Sequence, residues 1–298
     1  MPSVPVLSRP ILPAVRSLLV NLRDLWHARQ LLRQLVQKEL KVRYKHSALG
    51  FLWSLITPIL MTVVFTAVFA IIIRIQVQDF AAFFIAGYLV WSFFQNAVQN
   101  SVQAITGNGA LIRKVYFPRE VLPLSNVVAQ GVHFLLALLA ISPYLVWTRG
   151  IGVVAHLPAV ALGIVLIGVF ASGLAMLFAA ANVSFRDLQE LVVVIFLVWF
   201  YLTPIIYPLQ MVIDVAGDSA VGAVALQIVR ANPLTWFVEV FRYPLYGIVR
   251  TTGENASSTL PVWPSGELIL ATTSVALVSF LAGYLVFHRN ALTFAKEV

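Results

Sequence analysis

The stretch Lys38–Leu60, KELKVRYKHSALGFLWSLITPIL, changes character in its middle. Lys38, Lys41, Arg43 and Lys45 place four positive charges within eight residues, and after Ser47-Ala48-Leu49-Gly50 the chain turns apolar and stays so. Cations that lead straight into a charge-free run mark the edge of a membrane, where lysine and arginine face anionic head groups and the apolar run enters hydrocarbon. Just upstream, Leu31, Leu32, Leu35, Val36 and Leu40 recur at helical spacing, while Arg33, Gln34, Gln37, Lys38, Lys41 and Lys45 take the opposite face. That periodicity predicts an amphipathic interfacial helix over 29–47, lying on the inner leaflet with its basic face toward phosphates or a partner protein.

Outward from this stretch the composition agrees. Of 298 residues, 60% are hydrophobic and 11% charged, with a mean hydropathy of +0.90, far from an ordinary soluble domain. Apolar runs at 53–73, 81–105, 121–147, 156–181, 190–208 and 267–287 each reach about the 20 residues that a bilayer-spanning helix needs. The expected fold is an all-α integral membrane protein of six transmembrane helices, with 29–298 as one transmembrane domain. Residues 1–28, with four prolines in the first fifteen, are expected to be a mobile extension. The first fifty residues carry nine Arg/Lys and no compact apolar core ending at a small-residue cleavage site, so a retained N-terminus is expected.

Under the six-span reading, 15 of the 20 Lys/Arg lie in the N-terminal segment, the 106–120 and 182–190 loops and the tail. Arg74, Arg149, Arg230, Arg242 and Arg250 fall on the other side. Positive loops stay inside, so both termini are expected in the cytoplasm. The net charge of +8 then reflects topology, and nucleic acid is not an expected partner.

The chemistry that is missing narrows the function. The sequence holds no GxxxxGK[ST], and none of its five lysines follows a glycine, so it has no phosphate-cradling loop of its own. There is no cysteine, the five histidines are scattered without ligand spacing, and no two carboxylates share a membrane helix. Neither a catalytic nor a metal site is indicated. His133 is the lone ionisable residue in the middle of a span, and reads as a core residue rather than a proton relay. In the second helix Gln95, Asn96, Gln99, Asn100 and Gln103 form a polar row that should face the protein interior or a water-filled cavity. Gly163, Gly168, Ser172 and Gly173 suit close helix packing. Between the fifth and sixth spans, 219–229 and 233–249 are expected as two short helices dipping into the outer leaflet, because Glu239 and Arg242 argue against a full span.

Four stretches together carry a likeness: RYKHSALGFLWSLITPIL after the interfacial helix, GALIRKVYFPREVLPLS between helices two and three, ANVSFRDLQ between four and five, and YLTPIIYP closing helix five. Across about residues 30 to 290 the chain resembles the membrane subunit of type-2 ABC exporters, within their polysaccharide branch. The resemblance implies a homodimer in the bacterial plasma membrane joined to two copies of a separate ABC ATPase, with ATP and Mg on that partner and no cofactor in this chain. It implies that the loop between helices two and three seats the ATPase, through Leu111, Ile112, Arg113, Lys114, Val115, Tyr116 and Phe117. It implies channel-facing aromatics on helices one and five, here Phe65, Phe69, Phe196, Trp199 and Tyr201, and outer gate helices within 209–250. The exported substrate would be a polyprenyl-diphosphate-linked polysaccharide such as O-antigen, teichoic acid or cell-wall galactan. With such a substrate, Arg33, Lys38, Lys41, Arg43, Lys45 and His46 gain a second task, holding the diphosphate head group.

Each of these assignments has a plainer reading beside it. The basic helix and loop also read as topology alone, and the aromatics as packing. A type-2 exporter of a small hydrophobic molecule and a membrane-embedded glycosyltransferase are the alternative functions; the latter wants acidic residues near the surface, where only Asp187 and Glu190 cluster.

Overall fold

A computed structural model describes residues 28–44, 52–75, 77–251, 256–291 and 294–297. The element order is α1 (Arg29–Tyr44), α2 (Trp53–Phe65), α3 (Phe80–Val102), α4 (Gly109–Lys114), α5 (Val121–Arg149), α6 (Gly152–Ala155), α7 (Leu157–Ser184), α8 (Leu188–Leu202), α9 (Leu209–Asp218), α10 (Ala220–Ala231), α11 (Pro233–Leu245), β1 (Val249–Thr251), β2 (Ser257–Ser258), α12 (Gly266–Asn290) and α13 (Phe294–Glu297). The two short strands pair antiparallel. The expected extension at 1–28 lies outside the described residues except for Ala28, which packs against the base of the bundle.

Among the described residues, five helical segments are long and apolar enough to cross a bilayer: α2 with its continuation, α3, α5, α7 and α12. The α2 helix runs on as a π-helix over Thr66–Ile72. Pro58 sits in its second turn, and Thr57 and Thr62 return their hydroxyls to the backbone carbonyls of Trp53 and Pro58. The central element is α3, hydrophobic around most of its circumference, buried over 72% of its apolar window and packed against α2, α5, α7, α8 and α11.

Small residues set the tightest crossing. A Cβ on Gly173 of α7 would overlap the Ser279 carbonyl of α12, and one on Gly283 would overlap the backbone of Gly173. Gly163 receives Phe241 and Val240 of α11 in ordinary contact. Gly168 faces open space, so the packing role expected of it is not used inside the protomer.

The expected fifth span at 190–208 is corrected. Its helix, α8, has 15 residues and ends at Leu202, which at 1.5 Å per residue is about 22 Å, short of the roughly 30 Å of hydrocarbon. The cause is local: Thr203 precedes Pro204, and a residue before proline is driven out of the helical region, here to an extended backbone. The segment between α8 and β1 holds three helices, α9, α10 and α11, where two were expected. The last two meet at 74° across Asn232, so together they form a re-entrant pair or a broken sixth span. Phe237, Val238, Val240, Phe241 and Arg242 of α11 are buried among α3, α7 and α12.

The amphipathic helix also differs from expectation in what covers its apolar side. Leu35 and Val36 are buried, and Leu31, Leu32 and Leu35 join Ile105, Ile112, Leu122, Met176 and Phe287 in a cluster at one end of the bundle. The apolar side of α1 is therefore held by protein, chiefly α5, instead of by lipid.

Candidate functional site

Three groups of residues singled out in the sequence fall in three places. The loop between α3 and α5 forms the six-residue α4, followed by extended chain from Val115. The seven residues divide by burial. Leu111, Ile112 and Phe117 turn inward onto the cluster beneath α1. Arg113, Lys114, Val115 and Tyr116 point out, and Tyr116 is fully exposed at 102%. Tyr116 therefore stands uncovered beside two exposed cations.

The aromatic group behaves unequally. Phe65 and Phe69 of the first span stack on each other at 5.6 Å and on Phe84 and Phe80 of α3 at 4.8 and 6.5 Å. Phe65 also meets Phe200 edge-on at 5.9 Å, which ties α2 to α8. Tyr201 is exposed on the α8 surface. Phe196 does not reach any lumen: it is fully buried against Trp91, Phe94 and Trp199, so its expected channel-facing place is corrected to core packing. Phe196 belongs to the inward face of α8 with Val192, the only other buried residue of that helix.

Trp199 packs edge-on to Phe94 and donates its indole N–H to the Asn232 side-chain oxygen at 2.8 Å. That oxygen also caps α11 by accepting from the Leu234 N–H at 3.0 Å, while the Asn232 amide nitrogen donates to the Thr203 hydroxyl and the Leu202 carbonyl. One buried amide thus fixes the vertex of the re-entrant pair to the broken end of α8. Just beyond, the Tyr207 hydroxyl donates to the Tyr201 carbonyl, and burial raises its pKa, so it stays a neutral donor.

A second clamp holds the far end of α11. Arg149, 5% exposed, donates to the Asp79 carboxylate at 3.0 Å, the Tyr246 carbonyl at 2.9 Å, the Ser258 hydroxyl at 2.7 Å and the Thr259 carbonyl at 2.6 Å. Its guanidinium lies 4.3 Å from the centre of the Tyr246 ring. The Tyr246 hydroxyl donates to the Gln78 carbonyl, and burial pushes that phenol upward too. Asp79 enters α3 from a left-handed backbone (φ 49°), which Asp tolerates better than most residues. Arg242 is buried over the Phe83 ring at 4.0 Å, in space that only a glycine at 87 leaves open.

The basic group is the least described. Arg33, Lys38 and Lys41 are exposed along α1, and Lys38 bridges weakly to the Asn108 side chain at 3.5 Å. The Arg43 side chain, Lys45 and His46 lie outside the described residues.

Sequence reading missed Asn232 and Arg149. An Asn-Pro pair at the junction of two apolar helices was a signal for the first, because asparagine before a helical proline is a strong N-cap. Nothing local marked the second.

A helical bundle with an uncovered apolar side, an exposed aromatic-cationic loop at one end and a clamped, bent helix pair at the other defines a polytopic membrane protein. Residues 30–246 match the ABC-2 type transporter family, and the chain belongs to it. It is 31% identical over 283 residues to the O-antigen export system permease protein RfbA of Myxococcus xanthus, covering 93% of this chain and 98% of the relative. The RfbA permease of Klebsiella pneumoniae is 35% identical over 191 residues, 61% of this chain and 70% of the relative. The capsule polysaccharide export inner-membrane protein CtrC of Neisseria meningitidis serogroup B is 25% identical over 235 residues, 76% and 83% of the two chains.

Proposed function

We propose that this chain is the membrane-embedded half of an ATP-driven exporter of a polysaccharide carried on polyprenyl diphosphate, working as a homodimer with a separate ATPase. The observation that carries the reading is the uncovered side made by α2 and α8. Only 6% of the apolar window of the first span is buried, and Val63, Val64, Ile71, Leu191, Val194 and Leu197 are all exposed. Two helices with outward apolar faces, joined edge-on by Phe65 and Phe200 beside the stack that Phe65 and Phe69 make on α3, suit a second copy around a sugar-conducting path. Aromatic rings offer flat faces to passing pyranoses with few fixed hydrogen bonds to slow them.

The family and the names of the relatives support export of a surface polysaccharide. The absent phosphate loop assigns ATP and Mg to the partner, and the exposed Arg113, Lys114, Val115 and Tyr116 supply its seat. The cytoplasm is then the side of α4 and α1, with both termini on it, and α9 to α11 form the outer gate. Because the chain has no cysteine, a single thiol at Ile71 or Leu197 is unique. Mild oxidation in membranes should link two such chains into a dimer; monomer alone at every position tried along α2 and α8 sinks the homodimer.

A further inference from the structure

Among the described residues, one span changes its winding. Through Thr66–Ile72 the first span is wound as a π-helix, and the bond that closes it runs from the Ile73 N–H to the Val68 carbonyl at 2.8 Å, five residues back instead of four. Such winding is rare, occurs mostly as single turns inside α-helices, and gathers at functional sites; here it runs for seven residues. No helix breaker accounts for it. The segment TAVFAII holds neither proline nor glycine, and Pro58 lies well before it.

The segment is easy to rewind for three reasons. The Thr66 hydroxyl oxygen is enclosed without a hydrogen-bond partner, although Thr57 and Thr62 of the same span return theirs to the carbonyls four residues back. An enclosed polar group left unpaired lowers the stability of the arrangement that leaves it so. Just past the segment, Arg74 stands at φ 60°, in the left-handed region that residues with a Cβ enter at a cost. The span is also lightly held, since no residue of the π stretch is buried and its neighbours are chiefly α3 and α5.

Rewinding a π stretch as α takes one residue out of the closing ring, and one residue is about 100° of turn and about 1.5 Å of rise. Phe65 stands just before the stretch and Phe69 within it. Both rings now lie nearly parallel on α3, Phe65 on Phe84 at 4.8 Å and Phe69 on Phe80 at 6.5 Å. A turn of about 100° between them cannot keep both seats. Phe65 is tied further by its edge-on contact with Phe200 of α8, so Phe69 is the ring that leaves.

We propose that this π stretch is a register switch, which rewinds toward α when the ATPase partner binds ATP, lifts Phe69 off Phe80 and so changes the ring that the first span presents to the glycan. It rests on the reading of the chain as the membrane half of an ATP-driven exporter.

The test uses the full chain with its ATPase in nanodiscs. The sequence has no cysteine, so Phe69→Cys with Phe80→Cys makes a unique thiol pair, which a short bifunctional thiol reagent should join readily without nucleotide. With a non-hydrolysable ATP analogue the yield should fall at least about tenfold, the change of population that a two-state switch requires. A second variant acts through winding alone. Deletion of Ala70 brings Ile73 to four residues from Val68, so the stretch closes as α; it should melt no lower than wild type and capture the ATPase equally, while glycan transfer falls at least about tenfold because the switch is fixed in one state. The cross-link stands on its own if the deletion variant folds poorly. A yield that nucleotide leaves unchanged, a pair that joins in neither state, or full transfer by a well-folded deletion variant overturns the switch and leaves the exporter standing. A wild type that neither captures the ATPase nor transfers glycan removes the exporter reading and the switch with it.

Discussion

Trp199 of α8 and Asn232 at the turn into α11 are joined by a 2.8 Å hydrogen bond from the indole N–H to the amide oxygen. They lie 33 residues apart in sequence, and through them the re-entrant helices are hung from the end of the shortened fifth helix. The Asn232 side chain serves four partners at once, and each would lose its bond if the amide were removed.

Asn232→Leu should therefore lower stability by at least about 2 kcal/mol, the cost of several buried polar groups left unpaired. Trp199→Phe, which keeps the ring and removes one donor, should cost about 1 kcal/mol. Heating purified protein and following the folded fraction by size exclusion measures both; equal melting of Asn232→Leu and wild type would remove the vertex from the account.

Arg149 gathers Asp79, Tyr246, Ser258 and Thr259 around one guanidinium, so charge alone does not replace it. Arg149→Lys keeps the cation but has no planar fork. It should lose most of what Arg149→Ala loses, on the order of 2–3 kcal/mol. Asp79→Asn should be milder, because Asp79 is partly exposed and its ion pair is screened on that side. A lysine variant as stable as wild type would show that the site needs only charge.

Gly283 and Gly173 let α7 and α12 touch backbone to backbone. Gly283→Val should push the helices apart and reduce the yield of folded protein severalfold, whereas Gly168→Ala, with open space around it, should be neutral. Normal yield of Gly283→Val would mean that the crossing tolerates a wider spacing.

Tyr116 is fully exposed and Phe117 packs inward, so substitutions at the two should separate. Tyr116→Ala should weaken recovery of the ATPase partner with no change in melting, and Phe117→Ala should lower melting first. Unchanged partner recovery and export in Tyr116→Ala would assign the loop to topology.

The long spans and the basic approach to the membrane were legible from composition, because apolar length and lysine position are properties of sequence alone. The amide row along α3 followed from spacing. What sequence could not show is closure between distant residues. Phe196 and Tyr201 are both aromatic and lie on the same helix, α8, yet one faces the core and the other the outside, which depends on where α3 lies. Arg149 read as a stray positive charge on the outer side, and its four partners come from three separate segments. The early end of α8 was written in Thr203-Pro204, but the apolar run across it read as one continuous span.

The central claim is that this chain moves a lipid-linked polysaccharide only when a separate ATPase drives it. The direct measurement reconstitutes the chain with its ATPase in proteoliposomes loaded with polyprenyl-diphosphate-linked polysaccharide, and follows the fraction of glycan reached by a glycosidase on the far side. The account predicts transfer that requires ATP and both subunits, with no ATP hydrolysis by the pure chain alone. ATP turnover by the isolated chain, or glycan transfer unchanged when the ATPase is left out, would contradict it.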